Sequence, residues 1–254
     1  MRRSPVLFTF ALVIFLAAVV HAAESKEVHK IVPLDANGRV TVDAHNGAIT
    51  VTPWNQPSVS IDARIEPAEH FDHPEDVQKT EVRVTGSGKD VAIESDYSAV
   101  PSHVSLFGIQ QSNPPIYYTI HVPATAQLRV RAHNATVKVT GVKGDVDVAT
   151  HNGEVEVVDI DGGARIETHN GSVRVVYANV GRPSSIETHN GSASVVVPAA
   201  SKMTVKVDSH HSSFTCDLPM TIRATGTMST ALVNGGGTEL SFNTHNGSMH
   251  ISRR

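Results

Sequence analysis

The sequence predicts an all-β protein, in the form of a β-solenoid of 18–21-residue coils with Asn-Gly corners. The first observation is that the tripeptide His-Asn-Gly occurs five times in 254 residues. Exact copies begin at His45, His151, His169, His189 and His245, and degenerate copies begin at His133 and His210. The second is spacing: from His133 the copies follow at 18, 18, 20, 21 and then 35 residues. The third is that apolar and polar residues alternate on both sides of each copy, which is the period of a half-buried strand.

Aligning the copies on the histidine shows which side chains face the core. Apolar residues stand five and three positions before the histidine, and four and six positions after it. The column three positions before it consists of Val42, Val130, Val148, Ile166, Ile186, Val207 and Phe242. Cys216 falls in the column six positions after, so we predict a buried thiol and not a nucleophile. The inward parity changes across Asn-Gly, so the chain turns there, and Gly and Asn tolerate the positive φ of a turn.

Two architectures satisfy this pattern. In a solenoid, each repeat is one coil and equivalent residues stack about 4.8 Å apart. In an up-and-down β meander, Asn-Gly closes a two-residue hairpin and equivalent residues recur on every second strand, twice as far apart. Strand parity is the same in the solenoid and the meander and does not distinguish them. Similar residues at equivalent positions of successive repeats favour the solenoid, because stacking of neighbouring coils selects for such columns.

The N-terminal segment has the pattern of a signal peptide. Two arginines precede an uncharged, mostly apolar run over residues 6–20, and Val20-His21-Ala22 offers a small-residue cleavage site. This run is shorter than the roughly 20 residues that a membrane-spanning helix needs. We therefore predict a signal peptide over residues 1–22 and an exported protein, periplasmic or extracellular, with no transmembrane span after cleavage.

Residues 23–254 are predicted to form a single domain. It comprises a first coil over 36–66, an irregular insertion over 67–116 and the main repeat array over 117–254. Within the insertion, Pro74 in a first turn predicts a short helix, residues 81–85 and 91–94 read as strands, and 98–115 reads as an exposed loop.

This arrangement resembles the bacterial "putative adhesin" β-solenoid domains. The segments that carry the resemblance are 38–51, Tyr118-Thr-Ile-His-Val-Pro123, 128–175 and 236–251. The resemblance implies a right-handed β-helix, a location in the cell envelope and an adhesin-like role, and it supplies no catalytic residues. In these domains the residue before Asn-Gly usually varies, whereas this sequence has histidine before almost every Asn-Gly.

Composition and motifs argue against several function classes. A net charge of -4 lacks the basic footprint of a nucleic-acid-binding protein, and one cysteine excludes a disulfide framework. The chain contains no G-x-S-x-G, H-E-x-x-H or phosphate-binding loop. We therefore predict a protein that is not an enzyme, with a polysaccharide-active enzyme as the less favoured alternative. Its expected partners are envelope polysaccharide, an envelope protein or a second copy of itself.

The repeated histidines are the candidate site. Strand parity places them on the outward face, and stacking would bring His133, His151, His169, His189 and His210 into one file. Such a file could share Zn²⁺ or Cu²⁺, helped by the carboxylates that stand two residues before some of its members. The favoured alternative is a duplicated turn residue without a ligand or cofactor, and a pH-responsive surface is the third. The asparagines are expected to form a hydrogen-bonded ladder along the corner.

Overall fold

The computed structural model describes residues 25–68, 73–105, 108–111, 113–225 and 228–254. The predicted signal peptide over 1–22 lies outside the described residues. The part of the chain that the structure describes is all-β, with 71% strands and 2% helix. No helix among the described residues is long and apolar enough to cross a bilayer.

Seventeen strands and one short helix make up the described chain. They are β1 (Lys26–Trp54), β2 (Ser58–Ile65), α1 (Glu75–Lys79), β3 (Glu81–Asp96), β4 (Ser102–Ser105), β5 (Gly108–Gln111), β6 (Ile116–Pro123), β7 (Gln127–Thr140), β8 (Val146–Asn152), β9 (Val155–Ile160), β10 (Ala164–Asn170), β11 (Val173–Tyr177), β12 (Ser184–Asn190), β13 (Ala193–Val197), β14 (Met203–Cys216), β15 (Met220–Thr225), β16 (Met228–Val233) and β17 (Thr238–Arg253).

Eight of these strands form a closed parallel barrel with extra strands, and β4 and β5 form a separate two-stranded sheet. The pairings run β7–β8–β10–β12–β17 on one side and β7–β9–β11–β13–β17 on the other. The two long strands β7 and β17 close the ring, because each pairs through its first half with one side and through its second half with the other. Every pairing within the ring is parallel.

The predicted β-solenoid is therefore wrong, and so is the alternative meander. Parallel pairing between repeats excludes a meander, in which hairpins make neighbours antiparallel. The strand order also departs from the chain order, since β17 pairs with β12 and β13 and separates them from β14. The 35-residue spacing contains the antiparallel β15–β16 hairpin. This hairpin lets the last repeat enter between two earlier ones and close the barrel.

The predicted core columns are confirmed. Neighbouring repeats pair in register, as in Val130 with Val148 and Ile166 with Ile186. The side chains of the column three positions before the histidine are at most 3% exposed. Phe214 and Cys216 are exceptions, because both are only partly buried against the core. Partial burial still raises the pKa of the Cys216 thiol, which keeps it protonated near neutral pH.

The insertion supports the first repeat. The predicted short helix is present as α1, but Pro74 is its N-cap and precedes the first turn. The two strands predicted at 81–85 and 91–94 are parts of one strand, β3, which includes Gly86 and Gly88 at positive φ. The segment predicted as a loop over 98–115 contains the antiparallel β4–β5 hairpin instead. β1 pairs with β7 in parallel, which joins the first repeat to the barrel.

Candidate functional site

The repeated histidines lie along one edge of the barrel. His151, His169 and His189 each stand one residue before the end of β8, β10 or β12. Because these strands are parallel and in register, their carboxyl ends meet at the same edge. The threonine before each histidine is buried, at 5% exposure or less, so the histidine points outward and is exposed.

Five exposed imidazoles stack face to face along this edge. The ring centroids of His133 and His151 are 5.0 Å apart and those of His151 and His169 are 4.8 Å apart. The centroids of His169 and His189 are 4.7 Å apart, and those of His189 and His245 are 4.9 Å apart. The interplanar angles are between 3° and 5°. We call this row, from His133 to His245, the histidine stack.

Four of the five histidines that we predicted as a file are brought together in the stack: His133, His151, His169 and His189. The side chain of the fifth, His210, lies outside the described residues. His245 takes the next place in the stack, which our file had left out. The exact His-Asn-Gly motif at His245 could have identified it as a member of the stack. The spacing along the chain instead led us to place His210 beside His189.

His45 stands at the first end of the stack in a different orientation. Its ring lies 5.0 Å from that of His133 but is turned by 81°, and it meets Tyr97 edge-on at 6.1 Å. The His45 Nδ1 atom is buried without a hydrogen-bond partner. Ser95 lines the same small pocket as His45 and Tyr97, and its Oγ shares a hydrogen bond of 2.8 Å with the Tyr118 hydroxyl. Burial raises the pKa of Tyr118 to about 12, so its phenol stays neutral at physiological pH.

A groove of about 560 Å³ runs beside the stack. One wall consists of His151, His169, His189 and His245, and the other consists of the residues two positions earlier, which share the outward face: Arg131, Ala149, Glu167, Glu187 and Asn243. We call this feature the histidine groove. It crosses five strands, so its walls repeat at the strand spacing of about 4.8 Å.

The charges along the groove are unevenly paired. Arg131 is held by Asp147, with N–O distances of 3.1 and 2.9 Å. Glu167 and Glu187 lie side by side in register and are exposed. In the described part of the chain neither carboxylate has an ion-pair partner, and Asn243 Nδ2 donates a hydrogen bond of 3.5 Å to Glu187. Like charges on directly adjacent strands are destabilising, so the two carboxylates form an unneutralised anionic position within the groove.

The stacked rings are not arranged as a chelate. Within the described ranges, no three His, Cys, Asp or Glu side chains are placed to hold a metal ion. A metal bound to an imidazole nitrogen lies in the plane of that ring, and two parallel planes share no point. Neighbouring rings of the stack must therefore rotate before they can bind one ion together.

The asparagines form the predicted ladder beside the stack. Each side-chain amide donates to the carboxamide oxygen of the preceding repeat: Asn134 to Asn46 at 3.1 Å, Asn152 to Asn134 at 2.7 Å, Asn170 to Asn152 at 2.9 Å, Asn190 to Asn170 at 3.0 Å and Asn246 to Asn190 at 3.0 Å. The Asn46 amide ends the ladder on the Asn113 carbonyl at 3.0 Å. The ladder fixes the corner that carries the histidines.

The ladder explains the asparagine of the pair, and close packing explains the glycine together with positive φ at three copies: φ is 118° at Gly47, 147° at Gly153 and 155° at Gly247. In the described chain, the non-glycine residues with positive φ are Asp159 and Asn234, so no asparagine of the motif needs that conformation. A Cβ added to Gly191 would overlap the carbonyl oxygen of Gly171, because the repeats approach closely at this corner. Our prediction that Asn-Gly is selected for positive φ is therefore wrong for the asparagines.

Residues 8–252 match one protein family, and the chain belongs to the Toastrack DUF4097 family. A solved structure described as "a putative cell adhesion protein" from Clostridium sporogenes is 15% identical, covers 91% of this chain and 100% of its own, and has a TM-score of 0.49. A "putative adhesin" from Bacteroides fragilis is 11% identical over 90% of this chain and 97% of its own, with a TM-score of 0.40. A "putative lipid binding protein" from Parabacteroides distasonis is 8% identical over 89% and 94%, with a TM-score of 0.26.

No curated protein matches this sequence. Two of these three structures are thus described as a putative cell adhesion protein and a putative adhesin, and the third as a putative lipid binding protein. The β-solenoid part of the sequence resemblance is not confirmed. At these identities and TM-scores the likenesses carry no argument about a ligand, so the site must be interpreted from its own chemistry.

Proposed function

We propose that this chain is an exported cell-envelope protein with a non-catalytic, adhesin-like binding role, and that the histidine groove is its binding surface. The observation that carries the proposal is the groove itself, in which a row of parallel imidazoles faces a second row whose side chains are all polar except Ala149. The Asn ladder and the in-register strands hold both walls in place before any ligand arrives. A pre-organised surface of this kind loses little conformational entropy on binding.

Envelope polysaccharide is the partner that the groove chemistry favours. Neutral imidazole both donates and accepts hydrogen bonds, the carboxylates accept, and the Asn243 amide does both. A sugar hydroxyl likewise donates and accepts, so it can pair with each of these groups. A polymer also presents repeating groups to a wall that itself repeats from strand to strand.

The proposed export rests on the N-terminal sequence. Cleavage after Ala22 would release a chain that begins at Ala23, and N-terminal sequencing of the protein from the envelope fraction measures this. A protein that retains Met1 in that fraction would contradict cleavage.

Co-sedimentation with insoluble cell-envelope polysaccharide tests the binding role. We expect the chain from Ala23 to sediment with the polysaccharide, and a variant with His151, His169 and His189 changed to Ala to lose at least about tenfold in affinity, as expected when a central cluster is truncated. The matched control changes Lys138, Glu156 and Arg174 to Ala, since the exposed Lys138 and Arg174 flank the half-buried Glu156 in a salt-bridged row on the other side of the barrel. Equal binding by all three proteins, or none by the wild type, contradicts the proposal.

Transition-metal binding is a second candidate function. The observation that favours it is the density of imidazoles, with four neighbouring pairs at 4.7–5.0 Å on an exposed face. Imidazole is a preferred ligand of Zn²⁺ and Cu²⁺. Equilibrium dialysis of the chain from Ala23 against each ion tests it, and bound metal is expected to disappear when His151, His169 and His189 are changed to Ala. Metal retained by a folded triple variant would contradict a site in the stack.

A further inference from the structure

We infer that the groove contains one local Zn²⁺ site, formed by Glu167 and His169 of β10 with Glu187 and His189 of β12. This inference rests on the second candidate function and deepens it, because it replaces a diffuse row of imidazoles with four named ligands. Each strand contributes the segment Glu-Thr-His, and the two segments are in register.

The distribution of carboxylates singles out these two strands. At the position two residues before the histidine, β7 has Arg131, β8 has Ala149 and β17 has Asn243. Only β10 and β12, among the strands that carry the stack in the described chain, place a carboxylate there. The rest of the stack therefore offers imidazole without an anionic ligand beside it.

The spacing of the four positions suits a single ion. Residues two apart on one strand point to the same face and lie about 6.6 Å apart, and neighbouring strands are about 4.8 Å apart. The four ligands thus start from the corners of a small rectangle on one exposed face. A central ion would be held by two imidazole nitrogens and two carboxylate oxygens, each at about 2.0–2.2 Å.

Electrostatics favours a cation at this position. Other carboxylates on the barrel strands are neutralised in place: Asp147 by Arg131, Glu156 by Lys138 and Glu239 by Lys206. Glu167 and Glu187 instead face each other across one strand spacing and repel. A divalent cation between them removes this repulsion, and a mixed set of imidazole and carboxylate ligands suits Zn²⁺ better than Mg²⁺ or Ca²⁺, which prefer oxygen ligands.

Binding requires the two rings to leave the stack. The planes of His169 and His189 are parallel to within 3°, so both rings must turn toward the carboxylates to share an ion. Both side chains are exposed, and the groove provides the space for this rotation. The site is therefore assembled by the ion, and the NMR signals of these two rings should shift on its addition.

Zn²⁺ titration of four proteins tests the site. The proteins are the wild-type chain from Ala23, E167Q/E187Q, H169A/H189A and the matched control H133A/H151A, which also removes two neighbouring exposed imidazoles from the stack. We expect the Kd for Zn²⁺ to rise at least about tenfold in the first two variants and less than about twofold in the control. A cooperative urea transition in each variant establishes that it is folded.

The outcomes separate the local site from the wider proposals. Equal loss in H133A/H151A and H169A/H189A, with wild-type binding by E167Q/E187Q, overturns the local site but leaves metal binding by the stack. A wild-type protein that binds no Zn²⁺ overturns both and leaves polysaccharide binding untouched. Selective loss in the β10 and β12 variants, with ring shifts at His169 and His189 alone, supports the site.

Discussion

Gly191→Ala is expected to lower the free energy of unfolding by about 3 kcal/mol, because an added methyl group has no space at the barrel corner. The new Cβ would overlap the carbonyl oxygen of Gly171 on the neighbouring repeat. The obstacle is backbone, which cannot turn aside as a flexible side chain does. Relief would require β12 to move away from β10, and this would break the pairing of Asn170 with Asn190. Urea denaturation measures the loss.

Gly181→Ala is the matched control for this prediction. The nearest atom to its added Cβ is Asn179 Nδ2 at 3.9 Å, which is an ordinary contact, and the residue is exposed. We expect its free energy of unfolding to stay within about 0.5 kcal/mol of the wild type. If both alanine variants were equally stable, close approach would not be the reason for glycine in the repeated motif.

Asn170→Ala is expected to cost about 1.5 kcal/mol by interrupting the ladder at its centre. The substitution removes the hydrogen bond that Asn170 donates to Asn152 at 2.9 Å and the one that it accepts from Asn190 at 3.0 Å. Both partners are left with an unsatisfied amide group at a partly solvated corner, so water recovers part of the loss. The urea midpoint measures the effect, since the slope of the transition should not change.

Asn179→Ala provides the comparison for the ladder. Asn179 is an exposed residue in the connection between β11 and β12, outside the ladder. Its removal is expected to change the free energy of unfolding by less than about 0.5 kcal/mol. A loss at Asn179 as large as that at Asn170 would mean that the ladder does not stabilise the corner.

The sequence predicted the contents of each repeat well. Alternation assigned Val130, Val148 and Ile166 to the core, and the constant place of asparagine predicted the ladder. It also predicted that the histidines share an exposed face, because the apolar columns on both sides of the motif fix the strand parity. These features are local, since they depend on residues within one strand and on pairing in register with a similar neighbour.

The sequence did not predict which repeats are neighbours. Pairing of β17 with β12 joins residues 56 positions apart, as in Glu187 with Asn243, and no periodic pattern specifies a partner at that distance. Because all the repeats present nearly the same pairing edge, the assignment of His210 or His245 to the place beside His189 depends on chain connectivity. The β15–β16 hairpin supplies that connectivity.

The place of β17 in the ring has a consequence for how the chain reaches its folded state. This strand is the last in the described chain, yet it pairs with β12, β13 and β14 at once. Until it is available, the two arms of the barrel end in open edges whose backbone groups have no partner. Formation of the complete barrel must therefore wait until β17 is available, and such long-range pairing is slow. A chain that is translocated as proposed would remain unable to close the barrel until β17 has crossed the membrane, which keeps the preceding strands compatible with passage.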